Sequence, residues 1–529
     1  MKLSGHFKSF FSLAALLLFN TLLFVAAATF LPLLFETVDD SYFCIIANGI
    51  FTGQPDLHLV FVNAIYGSLL VALYNLTSAV EWYTVLYSVF HILAATFIVA
   101  SIWKDSDMHK WLKITFILFF YALWIQLIVN FQFTTTAGLI CFSGILALLN
   151  KNTKWRIAGV LAILLASFVR FHAAALTGLL LMPVIIKKLY EERRLAYWLT
   201  ALIVLVIAGR WADGLYYKTP EWQEFKSYNK YRSQIQDDPY SNERKVILPD
   251  NVSEDDYYAY VHFMGDPNIM NLPALEYIIS HRSSPSIKQI IRTSITQLRR
   301  FMVPLALLFA GFVLGLLLNC ASARNKRNTR TLLMLVSTLT IFLLVVGYLS
   351  TTSIFTARVF RCLVLPGVYV MTKSQPTNNE SKGLFRYAVI LLAVVISTIA
   401  LYYVRRDYKD CRDNNLLLDK YNTDLFPLYS DLEGTIYADG LDFFNPFTLK
   451  DLPFSIIRLG WIASLPTIKV KFQGYPDFLN ENILCISGSD SPQELICRGL
   501  RDDYGINASV MPINQNDSYA VYKFILENQ

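Results

Sequence analysis

Charged residues make up only 16% of this 529-residue chain, where a soluble protein of that length carries roughly 25%. That shortage excludes an ordinary water-soluble globule. The seven cysteines include no CxxC pair and no zinc-type spacing, so finger and ribbon metal sites are excluded. No basic tract suited to nucleic acid occurs, and nucleic acid is excluded as a partner. No internal repeat and no long low-complexity segment interrupts the chain.

What is present is apolar. Hydrophobic residues reach 54%, mean hydropathy is +0.41, and apolar runs near 20 residues recur, the length that crosses a bilayer. The composition predicts a mainly α, polytopic transmembrane bundle. The opening MKLSGHFK leads into an apolar run of about 27 residues, too long for the 7–15 residues of a secretory signal core. It reads as a retained first helix.

Basic residues set the orientation. They cluster at Lys2 and Lys8; Lys104, Lys110 and Lys113; Lys151, Lys154 and Arg156; Lys187, Lys188, Arg193 and Arg194; Arg324, Lys326, Arg327 and Arg330; and Lys373, Lys382 and Arg386. One threading puts every group in the cytoplasm. It has eleven spans, at 9–35, 81–102, 113–130, 135–149, 157–170, 172–186, 196–212, 301–319, 331–349, 357–372 and 386–404. The N-terminus is then cytoplasmic and the C-terminus extracytoplasmic. Counting 59–76 as a span would flip everything after it, so that stretch reads as an amphipathic or re-entrant helix on the outer face.

This threading divides the chain into a membrane domain, 1–404, and an extracytoplasmic α/β domain, 405–529. Within the first, the loops 36–80 and 213–300 also face outside. Ser253 is placed to cap a helix in the larger loop. In SPSIKQIIRTSITQLRRF, Ile287, Ile290, Ile291 and Ile295 share one side, as expected of a helix lying along the interface. In the tail, TIYADG, NILCISG, ASVMPI and SYAVYKFIL read as strands, and SPQELICRGLRDDYG as a helix ending at Gly505. Cys141 and Cys362 read as small buried hydrophobes. An extracytoplasmic tail would permit one disulfide among Cys411, Cys485 and Cys497.

Asp39 and Asp40 stand at the foot of the first span, on the outer side. Acidic residues at a helix end are ordinarily a hydrated flank. Here they are followed by a Gly-punctuated segment bearing Asp56 and His58. Arg170 and His172 interrupt an apolar hairpin, ASFVRFHAAAL, on the same side. Arg358 and Arg361, three apart in STTSIFTARVFRCLVLP, share a helix face at that surface. Singly, each arginine could snorkel to the boundary. Gathered at one level within apolar sequence, such groups mark a ligand path. A carboxylate can take the proton of an attacking hydroxyl, and guanidinium groups can hold a phosphate leaving group. A lipid-linked phosphate is the substrate that arrives at such a place.

The layout resembles the GT-C superfamily of integral membrane glycosyltransferases. VDDSYF after the first span, the interfacial LVFVNAIYGSLLVALY and the α/β tail carry the resemblance. The segments GIFTGQPDLHLVF and EWQEFKSYNKYRSQIQDDPY are also similar to stretches of bacterial envelope proteins of this type. The resemblance implies transfer of a hexosyl or pentosyl unit, with inversion, from a polyprenyl-phosphate donor to a cell-envelope glycan or lipid acceptor, in a bacterial inner membrane. Its catalytic acidic residue maps onto Asp40 or Asp39. Asp40 lies further beyond the apolar span and is the expected base, with Asp39 orienting the acceptor or binding a cation. Arg170, His172, Arg358 and Arg361 are the expected phosphate ligands. A divalent cation stays open, since no ligand cluster requires one. No WWDYG-like motif occurs, which argues against transfer to protein asparagine.

Trp222, Tyr228, Asn229, Arg232 and Asp237 could line an acceptor cleft, with Asp56 and His58 as auxiliaries. Equally, the loop's aromatics could pack on the membrane domain, and His58 could be a satisfied residue in a turn. Asp439 and Asp442 read as turn residues. The alternatives are a repeat-unit polymerase or ligase for O-antigen or capsule, or a transporter or flippase for the same lipids. A transporter would more often show repeats and helices broken at midplane, whereas here the polar groups gather at one face.

Overall fold

The computed structural model describes residues 5–50, 53–321, 326–374, 382–420 and 423 and, in the tail, 436–438, 446–447, 456–457, 461–469, 473–479, 482–486, 492–515 and 519–527. Lys2, Arg324, Asp439 and Asp442 lie outside these residues, as does the side chain of Cys485.

The chain opens with α1 (Gly5–Phe30), an apolar helix pinned by one polar residue. Asn20 is buried; it donates to Thr96 Oγ1 at 3.0 Å and accepts from the Tyr121 hydroxyl at 2.9 Å. Strand β1 (Leu34–Phe35) and α2 (Val38–Asn48) follow. Gly49 ends α2 at φ 82°, a left-handed conformation that only glycine adopts cheaply. Helix α3 (Ala64–Leu76) has 13 residues, hence a length of about 20 Å against a hydrocarbon core of about 30 Å. It is too short to cross. Its start is fixed to two distant segments, Asn63 N donating to Phe168 O at 2.8 Å and Ala64 N to Asp213 Oδ1 at 2.8 Å.

Next come α4 (Trp82–Lys104), α5 (Lys110–Val129), β2 (Asn130–Phe131) and α6 (Phe133–Leu148). Strand β2 pairs in parallel with β1. Gln132 caps α6, its Oε1 accepting from Thr134 N at 2.6 Å and Thr135 N at 3.0 Å.

Helical structure then runs without a gap through α7 (Thr153–Glu191), 39 residues with one non-helical residue, Arg170. Were it straight, Arg156 and Glu192 would lie about 54 Å apart. They form an ion pair at 2.7 Å. The chain therefore turns back at Arg170, and α7 is the hairpin expected from the charged interruption of the apolar run. The packing agrees. Gly159 on the first arm faces Leu148 and Gly144 of α6, while Thr177 on the second faces Gly138. A Cβ on Gly159 would sit 2.6 Å from the Gly144 oxygen, so small residues set the close approach of α6 and α7.

Helix α8 (Leu195–Tyr216) is largely exposed on the bundle's outside. The large loop carries α9 (Pro220–Gln236), α10 (Glu254–Val261), α11 (Leu272–His281) and α12 (Ile287–Arg299). Ser253 and Asp256 form a capping box on α10, and Ser286 and Gln289 another on α12. Helix α12 leaves Ile287, Ile291 and Ile295 exposed and meets α13 (Met302–Ala321) at a bend of 88°. An amphipathic helix turning sharply into an apolar one is the geometry of an interfacial segment entering a span. The bundle closes with α14 (Lys326–Thr352), α15 (Ala357–Lys373) and α16 (Lys382–Lys420).

Helices stand at all eleven expected positions. Among the described residues, seven are long and apolar enough to cross a membrane on their own, or eight counting the bent α12–α13 pair. The protein is thus a multi-pass membrane protein. Helices α6 and α15, of 16 and 17 residues, are shorter and form the centre: every residue of α6 is buried, as is 360–372 of α15. A helix enclosed by other helices need not match the bilayer thickness. Helix α16 runs through residue 405 and ends at Lys420, about 16 residues beyond the expected boundary of the tail domain.

The tail forms a five-stranded sheet, ordered β4 (Ile456–Ile457), β3 (Ile436–Ala438), β5 (Asn482–Ile486), β7 (Tyr519–Leu526), β6 (Ala508–Gln515). The first three strands run parallel and the rest antiparallel. A helix, Pro492–Tyr504, ends at Gly505, and Cys411 and Cys497 are free thiols. The tail docks on the large loop through Asp266, which accepts from Tyr475 N and the Tyr504 hydroxyl, both at 2.8 Å.

Candidate active site

Asp39 and Asp40 fall in the first turn of α2, where the free N–H groups and helix dipole favour negative charge. Their surroundings differ sharply. Asp40 is 0% exposed. Its Oδ1 accepts from the Tyr83 hydroxyl at 2.7 Å and Phe133 N at 2.9 Å, and its Oδ2 from Thr37 Oγ1 at 3.1 Å. Burial pushes its carboxyl well above the usual carboxylate range, against those hydrogen bonds and with the Asp39 charge. Asp40 therefore satisfies an orphan donor at the start of α6 and ties the first loop to α4 and α6. Asp39 is only half-buried, and its Oδ1 accepts from Trp461 Nε1 at 3.2 Å. That indole comes from the tail and packs against Tyr42, Phe43 and Phe61.

Arg170, at the hairpin turn, lies between two aromatic rings, 5.3 Å from Phe61 and 5.2 Å from Phe133. Among the described residues its one hydrogen bond is long, Nη1 donating to Phe61 O at 3.4 Å. Cation–π contact offsets part of its desolvation and leaves its donors largely unused. Arg358 is half-buried and makes no hydrogen bond or ion pair among the described residues. The charges of Asp39 and Arg358 both act on Arg170, and those of Arg232, Asp39 and Arg358 act on Asp237. Burial pushes the Asp237 carboxyl up, and Asp39 adds to this while Arg232 and Arg358 oppose it. Two carboxylates and two arginines from α2, α7, the end of α9 and α15 thus share one electrostatic neighbourhood.

Other expected site residues are engaged elsewhere. Arg361 is 6% exposed and forms an ion pair with Glu36 at 2.6 Å, turned into the bundle one helical turn beyond Arg358. His172 is exposed beside Phe171, within reach of the charges of Arg170 and Arg210. His58 is fully occupied: Nδ1 meets Asp56 Oδ1 at 2.6 Å, Nε2 meets Tyr216 O at 3.1 Å, and the ring stacks on Trp222 at 4.3 Å. These bonds hold the Asp56 carboxyl below its ordinary value despite burial. Asp56, His58 and Trp222 form a clamp that fixes the first loop to the junction of α8 and α9.

Arg232 is buried, donating to Asn229 Oδ1 and to Gln236 Oε1, both at 2.8 Å, and its Nη2 lies 3.6 Å from Asp237 Oδ2. Tyr228 bonds to Ser464 and Tyr260 and borders a separate cavity of about 230 Å³ between α9 and the tail. Among the described residues, no group of three His, Cys, Asp or Glu side chains is arranged to hold a metal ion. Three partners escaped the sequence reading: Glu36, Tyr83 and Trp461. Glu36 adjoins the acidic pair, but nothing local marks Tyr83 or Trp461.

The bundle, with its acidic first loop and docked α/β tail, has an ArnT-like fold. Among solved structures the chain is similar to ArnT from Cupriavidus metallidurans bound to undecaprenyl phosphate. The TM-score is 0.50 at 9% identity, covering 96% of this chain and 97% of that one. For the same protein in the apo state the TM-score is 0.46 at 10% identity, covering 95% and 97%. No protein-family model matches the sequence, and no curated protein does so either.

Proposed function

We propose that this protein transfers a sugar from a polyprenyl-phosphate donor to a cell-envelope glycan or lipid acceptor, at the extracytoplasmic face of a bacterial inner membrane. One observation carries the reading: the half-buried carboxylate of Asp39 and the guanidinium of Arg358 both act electrostatically on Arg170, whose donors are largely unused. In this mechanism Asp39 takes the proton of the acceptor hydroxyl as its oxygen attacks the anomeric carbon. The bond from that carbon to the phosphate oxygen breaks, with inversion. Arg170 and Arg358 hold the polyprenyl phosphate and offset the charge that develops on it. His172, beside Arg170, extends the phosphate site toward the lipid, while Arg361 acts through Glu36 to hold α15. Asp237 and Arg232 orient the acceptor hydroxyls.

Asp39, rather than the enclosed Asp40, is the base because a proton acceptor must reach its substrate. Trp461 is a positioning residue that aims the Asp39 carboxylate. Overlap with a structure holding undecaprenyl phosphate supports a lipid-phosphate donor. The test is transfer by purified full-length protein from polyprenyl-phosphate-linked sugars. Asp39→Asn is expected to lower the rate about 10²–10⁴-fold with unfolding temperature unchanged. Wild-type turnover in Asp39→Asn would remove the assignment.

A further inference from the structure

The opposite end of the bundle carries a second polar centre that the proposed transfer does not use. A cavity of about 420 Å³ opens there. Five lysines line it: Lys104 from the end of α4, Lys151 between α6 and α7, Lys187 and Lys188 from the second arm of α7, and Lys373 from the end of α15. Three carboxylates, Asp105, Asp107 and Glu191, leave a surplus of two positive charges. Several of these groups are already placed. Lys373 pairs with Asp105, Lys188 lies 3.5 Å from Glu191, Lys187 donates to Thr331 at 3.1 Å, and Lys104 lies over Trp155. The ends of four chain segments are thus held around one concavity.

Clustering of lysines at one end follows from membrane orientation alone; a shared cavity does not. One further feature points to a ligand. Part of the remaining wall is apolar, formed by Ile102, Leu146, Leu149, Val184 and Met334, beside the polar Ser106 and Asn150. Cationic groups sharing a cavity with apolar side chains suit an amphiphile whose charged end is a phosphate, since ammonium groups bind phosphate as point charges.

We infer that this cavity binds a phosphate group, carried by an anionic lipid headgroup or by a free phosphate anion. The site is separate from the transfer site and does not depend on that reading. Purified full-length protein in mixed micelles is titrated with phosphatidylglycerol, with phosphatidylcholine as control, and read by native mass spectrometry. Saturable retention of one phosphatidylglycerol is expected. Lys151→Glu and Lys188→Glu are each expected to weaken it at least about fivefold, the usual effect of one lysine near an anionic lipid. Displacement by millimolar pyrophosphate would assign the cavity to the free anion, and retention in its presence to the lipid headgroup. Two results would overturn the proposal: equal retention of both lipids with no pyrophosphate effect on thermal unfolding, or unchanged retention in a well-folded double variant.

Discussion

Asp39 and Asp40 are neighbours in sequence and differ in almost every physical respect. A carboxylate enclosed with three donors is part of the scaffold, because replacing it strands buried hydrogen-bonding groups. Asp40→Asn should therefore lower the unfolding temperature, with a loss of about 1–3 kcal/mol for a disrupted buried network. Asp39→Asn should leave stability alone and remove transfer. Measuring both properties on both variants separates a structural from a chemical role. Trp461→Phe keeps the ring among Tyr42, Phe43 and Phe61 but deletes the N–H that reaches Asp39. Its expected signature is a fall in turnover of about tenfold, the equivalent of one hydrogen bond of about 1–1.5 kcal/mol, with substrate binding unchanged. An equal fall in Trp461→Phe binding would assign the indole to substrate contact.

At the level of elements, the hairpin of α7 is the feature on which the site is built, since it lifts Arg170 to the rim and returns the chain beside itself. Arg156→Cys with Glu192→Cys should cross-link within one chain when treated with a short bifunctional thiol reagent. A straight helix would hold the two about 54 Å apart. Gly159→Leu should disrupt the bundle, because even a Cβ there would meet the backbone of α6 at 2.6 Å. The contact between the large loop and the helix Pro492–Tyr504 should respond to pH. Burial, with the charges of Asp256 and Asp266, pushes the Asp503 carboxyl up to about 7. A carboxyl with a raised folded pKa binds more protons in the folded state, so the docked tail is most stable below about pH 4 and loosens as pH rises toward 7. Hydrogen exchange in that helix should speed up across this window in wild type and stay flat in Asp503→Asn.

Over the whole molecule, the basic cavity and the acidic–basic cluster stand at opposite ends of one bundle. Lys151→Cys and Lys230→Cys should therefore label from opposite sides of the membrane, with Lys230→Cys labelling from outside. Labelling of both from one side would contradict the orientation on which the extracytoplasmic site depends.

The spans were legible because a bilayer imposes one length and one polarity, and both are local properties of the chain. The turn at Arg170 was legible for the same reason, since a charge within an apolar run needs a place at an edge. The helix cap at Ser253 was legible because it rests on side chains within three residues. The partners of the charged residues are not local. Glu36 meets Arg361 across 325 positions and Trp461 meets Asp39 across 422. Sequence alone determined a multi-pass helical membrane protein and set the expectation that carboxylates and arginines gather at one end of it. Only the tertiary structure decided which are free to act, because exposure depends on what distant segments place over each group.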